Sequence, residues 1–109
     1  MITVNLLYTG TDGSARRFAE EMTDSGTVAA IRTEAGNLRY EYYQSFDDPE
    51  TILLIAQWRD QAAIDAHHAS PMMAEIARLR EKYDLHMTVE RFVSDESGLL
   101  ESDRSFIRE

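Results

Sequence analysis

The stretch "NLRYEYYQSFDDPETILLIAQWR" (residues 37–59) decides the fold. Its first ten residues alternate, with Leu38, Tyr40, Tyr42, Gln44 and Phe46 on one side and Arg39, Glu41, Tyr43 and Ser45 on the other. That is the period of a strand. "DDPE" (47–50) supplies turn formers, and "TILLIAQWR" (51–59) resumes as a second strand. Two such runs across a short Pro-containing turn predict an antiparallel hairpin. The second strand is apolar on both faces: Ile52, Leu54, Ala56 and Trp58 on one, Leu53 and Ile55 on the other. It therefore needs helices against one side and some other cover against the second.

Towards the N-terminus, "ITVNLLY" (2–8) is a compact run of strand formers followed by the turn "TGTDG". From Ser14 to about Glu34 the pattern is helical, with Phe18, Met22, Ala29 and Ile31 on one stripe. "DSG" (24–26) divides or kinks that helix, Asp12 or Thr11 is the expected N-cap, and Gly36 the expected stop. After the hairpin, Asp60 caps a short helix running to about Ala69. Ser70 caps the next, with Pro71 at its first position, where the missing N–H costs nothing. Met72, Ile76, Leu79 and Tyr83 form its core stripe. "LHMTVERFV" (85–93) is the last strand.

The expected order is β-α-β-β-α-β, an α+β ferredoxin-like plan with an antiparallel sheet over residues 1–93. One sheet face takes the helices. The other is left bare and apolar, which predicts a homodimer burying sheet against sheet. Residues 94–109 form an acidic tail, pinned by Phe106 and Ile107 and assigned no chemistry.

Composition sets limits. The formal charge of −9, from 20 acidic and 11 basic residues, disfavours nucleic acid and anionic membrane surfaces, which both demand clustered cations. "ILLIA" (52–56) is far too short to span a bilayer. With no signal-type segment ahead of the first strand, the expected location is cytoplasmic. No cysteine is present, which excludes thiolate catalysis, disulfides and Cys-based metal sites.

"DAHHASPMM" (65–73) carries two of the three histidines. At ~100° per residue, His67 falls between Ala63 and Ile64 on the buried helix face, and His68 falls with Gln61 and Asp65 on the wetter side. Adjacent helical residues diverge, and His86 lies on another strand, so no metal site is expected.

"EAGNLRYEYYQ" (34–44), "DDPETILLIAQWRDQAAIDAHHASPMM" (47–73) and "VERF" (89–92) resemble the antibiotic biosynthesis monooxygenase superfamily, including small bacterial quinol monooxygenases. The most specific part is Trp58 ending a strand, then Ala66-His67, then Ser70-Pro71 opening a helix. The resemblance implies a dimeric α+β barrel, a pocket in each subunit between sheet and helices, and oxidation of aromatics by O2 without metal or flavin. The superfamily also holds haem-degrading and isomerase-like members.

On that basis His67 is expected to be the base. A neutral imidazole, with a reference pKa of ~6.5, can take a phenolic proton near neutral pH. Trp58 either packs the core or stacks on a flat substrate. Asn5 is either the oxyanion donor or part of the dimer face. Tyr40 or Tyr42 lines the pocket, with Met72 and Met73 as pocket wall or core. Tyr43 faces the dimer side, Asn37 serves the turn after Gly36, and Arg39 and Arg59 either attract an anionic substrate or, as expected here, are solvated. The expected activity is cofactor-independent oxidation of a quinol or similar phenol, with a small aromatic substrate and O2 as partners. The alternatives are a non-catalytic dimeric binding domain and an isomerase of a small phosphorylated carbonyl compound.

Overall fold

The computed structural model describes residues 1–108 and builds one four-stranded antiparallel sheet of order β2-β3-β1-β4. The elements run β1 (Ile2–Thr9), α1 (Ser14–Asp24), α2 (Thr27–Arg32), β2 (Asn37–Gln44), β3 (Thr51–Trp58), α3 (Gln61–His68), α4 (Met72–Lys82), β4 (His86–Val93) and α5 (Glu101–Arg104). This is the expected α+β ferredoxin-like order, each helical segment falling into two pieces.

Register sorts the strand residues. Val4 stands between Ala56 and Arg91, Leu6 between Leu54 and Val89, and Tyr8 between Ile52 and Met87. Tyr40 and Tyr42 lie opposite Ala56 and Leu54. Residues directly opposite share a face, so these form one surface, and it is the one the helices cover. Against it pack Phe18 and Met22 of α1, Ile31 of α2, and Ile76 and Leu79 of α4, all fully buried. Removal of each such side chain from water is worth roughly 1.5–3 kcal/mol, which is what holds the helices to the sheet.

Some local expectations hold and others are corrected. Helix α1 stops at "DSG" and Gly26, with φ +85°, restarts the chain as α2. That left-handed residue shifts the helical phase, so Val28 is buried and Ala29 exposed. A bulge between Asn37 and Arg39 drops Leu38 out of the ladder, leaving it 57% exposed. Asn37 serves this bulge, its Nδ2 donating to the carbonyls of Arg39 and Gln57 at 3.2 and 3.4 Å. Phe46 projects from the hairpin turn into solvent.

Neither Thr11 nor Asp12 caps α1. Gly13 occupies that position, and the Thr11 N–H donates to Ser14 Oγ at 3.0 Å, closing the turn on itself. Asp60 does cap α3, its Oδ1 accepting the Ala63 N–H at 2.9 Å. Ser70 does not cap α4; its hydroxyl donates to the His67 carbonyl at 2.7 Å, and Pro71 precedes the helix. In the tail, Phe106 is 88% and Ile107 50% exposed, so they do not pin it to the body of the chain. Glu109 lies outside the described residues.

Candidate active site

Between the sheet and helices α3 and α4 lies a cavity of about 330 Å³, at the small end of the ~300–1,000 Å³ typical of ligand sites. Its floor is the helix-side surface of the sheet: Val4 and Leu6, Leu54 and Ala56, and Tyr40 with Trp58. Ile64 and His67 of α3 and Met73 of α4 close one side, and Met87, Val89 and Arg91 of β4 form the opposite wall. The exposed Gln61 and His68 stand at the rim.

His67 is placed by the α3 phase. Ala63, Ile64 and His67 are the buried residues of that helix, and His67 is 6% exposed. Its ring lies 4.8 Å from the Trp58 ring at 33°, and 6.3 Å from Tyr40 nearly edge-on. Its Nδ1 is 2.7 Å from Glu34 Oε1. An ionised carboxylate only accepts, so Nδ1 carries the proton in this contact, and in the neutral ring the lone pair lies on Nε2. No described residue partners Nε2. The arrangement is an imidazole whose orientation is fixed from behind by a carboxylate.

Gly36 makes that contact geometrically available. With φ +81° it turns the chain between Glu34 and β2, and its carbonyl accepts the Arg59 N–H at 2.8 Å. A Cβ here would come within 2.5 Å of the Ala63 Cβ. Only glycine lets the start of α3 approach the Glu34 turn this closely.

The tyrosines are electrically quiet. Burial pushes the hydroxyls of Tyr40 and Tyr42 well above the usual phenol range, so both remain protonated donors. Tyr40 lines the cavity; Tyr42 lies beside it, packed on the core, its hydroxyl buried and unpartnered. Tyr8 Oη accepts from Arg80 Nε and Nη2 at 3.1 and 2.9 Å. Burial raises the Tyr8 hydroxyl, and the Arg80 guanidinium draws it part of the way back. That contact turns Arg80 inward, where it too lines the cavity.

Of the residues singled out from the sequence, His67, Trp58, Tyr40 and Met73 therefore meet at one cavity. Met72 packs against the core instead. Asn5 is not brought to them. It stands between Ile55 and Glu90 on the helix-free face, one residue out of phase with Val4 and Leu6, and its Oδ1 is buried without a partner. Glu34, Arg80 and Arg91 escaped the sequence reading. Arg80 had a signal, because it lies seven residues after Met73 and four after Ile76, on the same helix face. Arg91 also had one, through strand parity with Val89. Glu34 had none: its partner is 33 residues away.

The sequence profile of the family described as "Antibiotic biosynthesis monooxygenase" matches residues 1–79. The chain belongs to this family, and a general monooxygenase role accompanies that membership. No curated protein sequence matches it significantly. Among solved structures, a Deinococcus radiodurans protein provisionally assigned as an antibiotic biosynthesis monooxygenase superposes with a TM-score of 0.79. The two share 16% identity over 92% of this chain and 98% of that one. PA3566 from Pseudomonas aeruginosa gives 0.73 at 28% identity, over 85% and 92% of the two chains. SnoaB, a cofactor-independent oxygenase from Streptomyces nogalater, gives 0.71 at 18% identity, over 87% and 93%. No helix among the described residues is long and apolar enough to cross a membrane.

Proposed function

We propose that this chain is a cofactor-independent monooxygenase that oxidises a quinol or similar electron-rich phenol with O2. One observation carries it: a histidine held between a tryptophan ring and a half-buried carboxylate, its second nitrogen unclaimed by any described residue, on the wall of an apolar cavity. His67 Nε2 takes the phenolic proton, and the phenolate then reduces O2. Trp58 and the apolar floor hold the ring flat, and the protonated Tyr40 hydroxyl donates to the oxygen on which charge develops. The substrate is the only reductant required. A naphthoquinol loses four electrons in becoming a hydroxyquinone; one atom of O2 enters the ring and the other leaves as water.

The active form is proposed to be a homodimer through the helix-free face. Leu7, Leu53 and Ile55 are only half-buried there, and Tyr43 and Phe92 flank them, partly exposed. Asn5 in this arrangement belongs to the subunit interface, where a partner can satisfy its Oδ1. Ile55→Asp should convert a dimer to monomer in sedimentation velocity. A wild type that is monomeric at all concentrations sinks the assembly.

The deciding assay is O2 uptake with anaerobically reduced naphthoquinols, above the spontaneous rate, using metal-stripped, flavin-free protein. His67→Ala should abolish the acceleration, Trp58→Phe should reduce it, and His68→Ala should leave most of it. Equal loss at His67 and His68 contradicts the assignment of the base. No acceleration by wild type across several quinols contradicts the monooxygenase reading and leaves the binding domain or the isomerase.

A further inference from the structure

The protein is strongly acidic, and most of its cations are committed. Arg16, Arg39, Arg59, Arg78 and Lys82 each pair with a carboxylate, and Arg17 and Arg32 bond backbone carbonyls. Arg80 and Arg91 behave differently. Both line the cavity, from α4 and β4 respectively, and neither has a carboxylate partner among the described residues. Arg80 spends Nε and Nη2 on the neutral Tyr8 hydroxyl, which fixes the guanidinium plane and leaves its charge uncompensated. The Arg91 side chain makes no hydrogen bond or ion pair to any described residue.

We infer that the cavity takes a phenol carrying a carboxylate, with the phenolic oxygen at His67 and the carboxylate between Arg80 and Arg91. This rests on the monooxygenase reading for the phenol alone. The sheet register gives the geometry. His67 touches Trp58, at the Ile2 end of β1, whereas Arg80 is anchored to Tyr8, at the other end of that strand. Arg91 lies opposite Val4, between the two ends. A base and a pair of cations are thus spaced along one apolar floor, and a flat acid with its hydroxyl remote from its carboxylate spans them. Arginine suits the task, because its planar fork matches a carboxylate's two oxygens.

The overall negative charge does not oppose this at close range. At physiological salt, charges more than ~8 Å away are largely screened, so the two guanidiniums dominate the field in the cavity. The acid nearest the base, Glu34, has its Oε1 engaged by His67.

The test is anaerobic calorimetric titration with 6-hydroxy-2-naphthoate, its neutral 2-carboxamide and 2-naphthyl phosphate. Wild type should bind the carboxylate about tenfold more tightly than the amide, the size of one partly solvated charge-assisted contact, and added NaCl should narrow the gap. Arg80→Gln and Arg91→Gln should each remove the preference while leaving amide affinity near wild type. Arg80→Gln loosens Tyr8 and risks the fold, but Arg91→Gln, on an exposed strand, carries no such risk. Equal wild-type affinity for acid and amide, no binding of the acid, or equal weakening of both ligands in Arg91→Gln overturns the inference. Binding of the phosphate alone overturns it in favour of a phosphorylated ligand. No turnover enters the titration, so a failed O2 assay and a failed titration remain separate results.

Discussion

The two faces of the sheet are written in alternate letters of the same strands, and they have different fates. On β3, Leu54 and Ala56 are buried under helices and floor the cavity, while Leu53 and Ile55 look outward, half-buried. On β1, Val4 and Leu6 reach the cavity and Asn5 does not. On β2, Tyr40 reaches it, while Tyr43 donates to Glu41 Oε2 on the open side at 2.5 Å. Only on β3 does hydropathy leave both faces strongly apolar, with Leu53 and Ile55 opposite in direction to Leu54 and Ala56. What separates them is which one the connecting helices cover, and in a ferredoxin-like order they all fall on one side. The covered face can hold a dry site; the open face is fit for assembly.

The sharpest break of this comparison is between adjacent leucines. Leu54→Ala should cost about 2–5 kcal/mol in urea unfolding, and Leu53→Ala well under half of that for the monomer. Equal, concentration-dependent losses indicate that the open face is as deeply buried as the covered one in solution. Next comes the dyad: Glu34→Gln keeps the fold but replaces the charged acceptor with a neutral amide that can either accept from or donate to Nδ1, so the His67 tautomer is no longer fixed. The quinol-dependent kcat should fall about 100-fold with KM little changed, and its pH profile should shift. An unchanged kcat and profile means Glu34 only packs. A smaller effect separates the tyrosines: Tyr40→Phe should lose about tenfold in kcat and Tyr43→Phe less than about twofold.

The smallest effect concerns Asp60, which begins the helix carrying the base. The Ala63 backbone N–H, and after it Arg59, hold its carboxyl below the usual carboxylate range. A depressed carboxylate stabilises the fold above its unfolded pKa of ~3.9 and loses that contribution as pH falls through the lower folded value. Wild type should therefore exceed Asp60→Ala in thermal stability at neutral pH, with the gap closing in acid below about pH 4. A gap independent of pH assigns the effect to something other than the charge.

Much of this was legible in the sequence. Period-two alternation located the strands, the "DSG" break located the division of the first helix, and helical phase separated His67 from His68. The failures share a physical cause. Alternation was carried through a bulge at Leu38 that no residue type announces, and caps were assigned to Asp12 or Thr11, where Gly13 holds the position, and to Ser70, whose hydroxyl bonds the His67 carbonyl instead. Asn5 was set among pocket candidates by its polarity, although its parity with Val4 and Leu6 argued otherwise. Glu34 and His67 meet only because Gly36 permits two segments to touch, and such convergence leaves no local trace.

Strand β4 has a neighbour on one side only, and every one of its eight residues is exposed. Yet Met87, Val89 and Arg91, one wall of the cavity, ride on it. The opposite wall is clamped by a helix cap, a glycine contact and the hydrogen bond between His67 and Glu34. Any breathing of the site is therefore lopsided. In hydrogen–deuterium exchange, the β4 amides that bond no neighbour label first, whereas those of central β3 persist. A guest slightly too bulky for the resting cavity is accommodated by flexing that outer strand, while the histidine and its carboxylate stay in place.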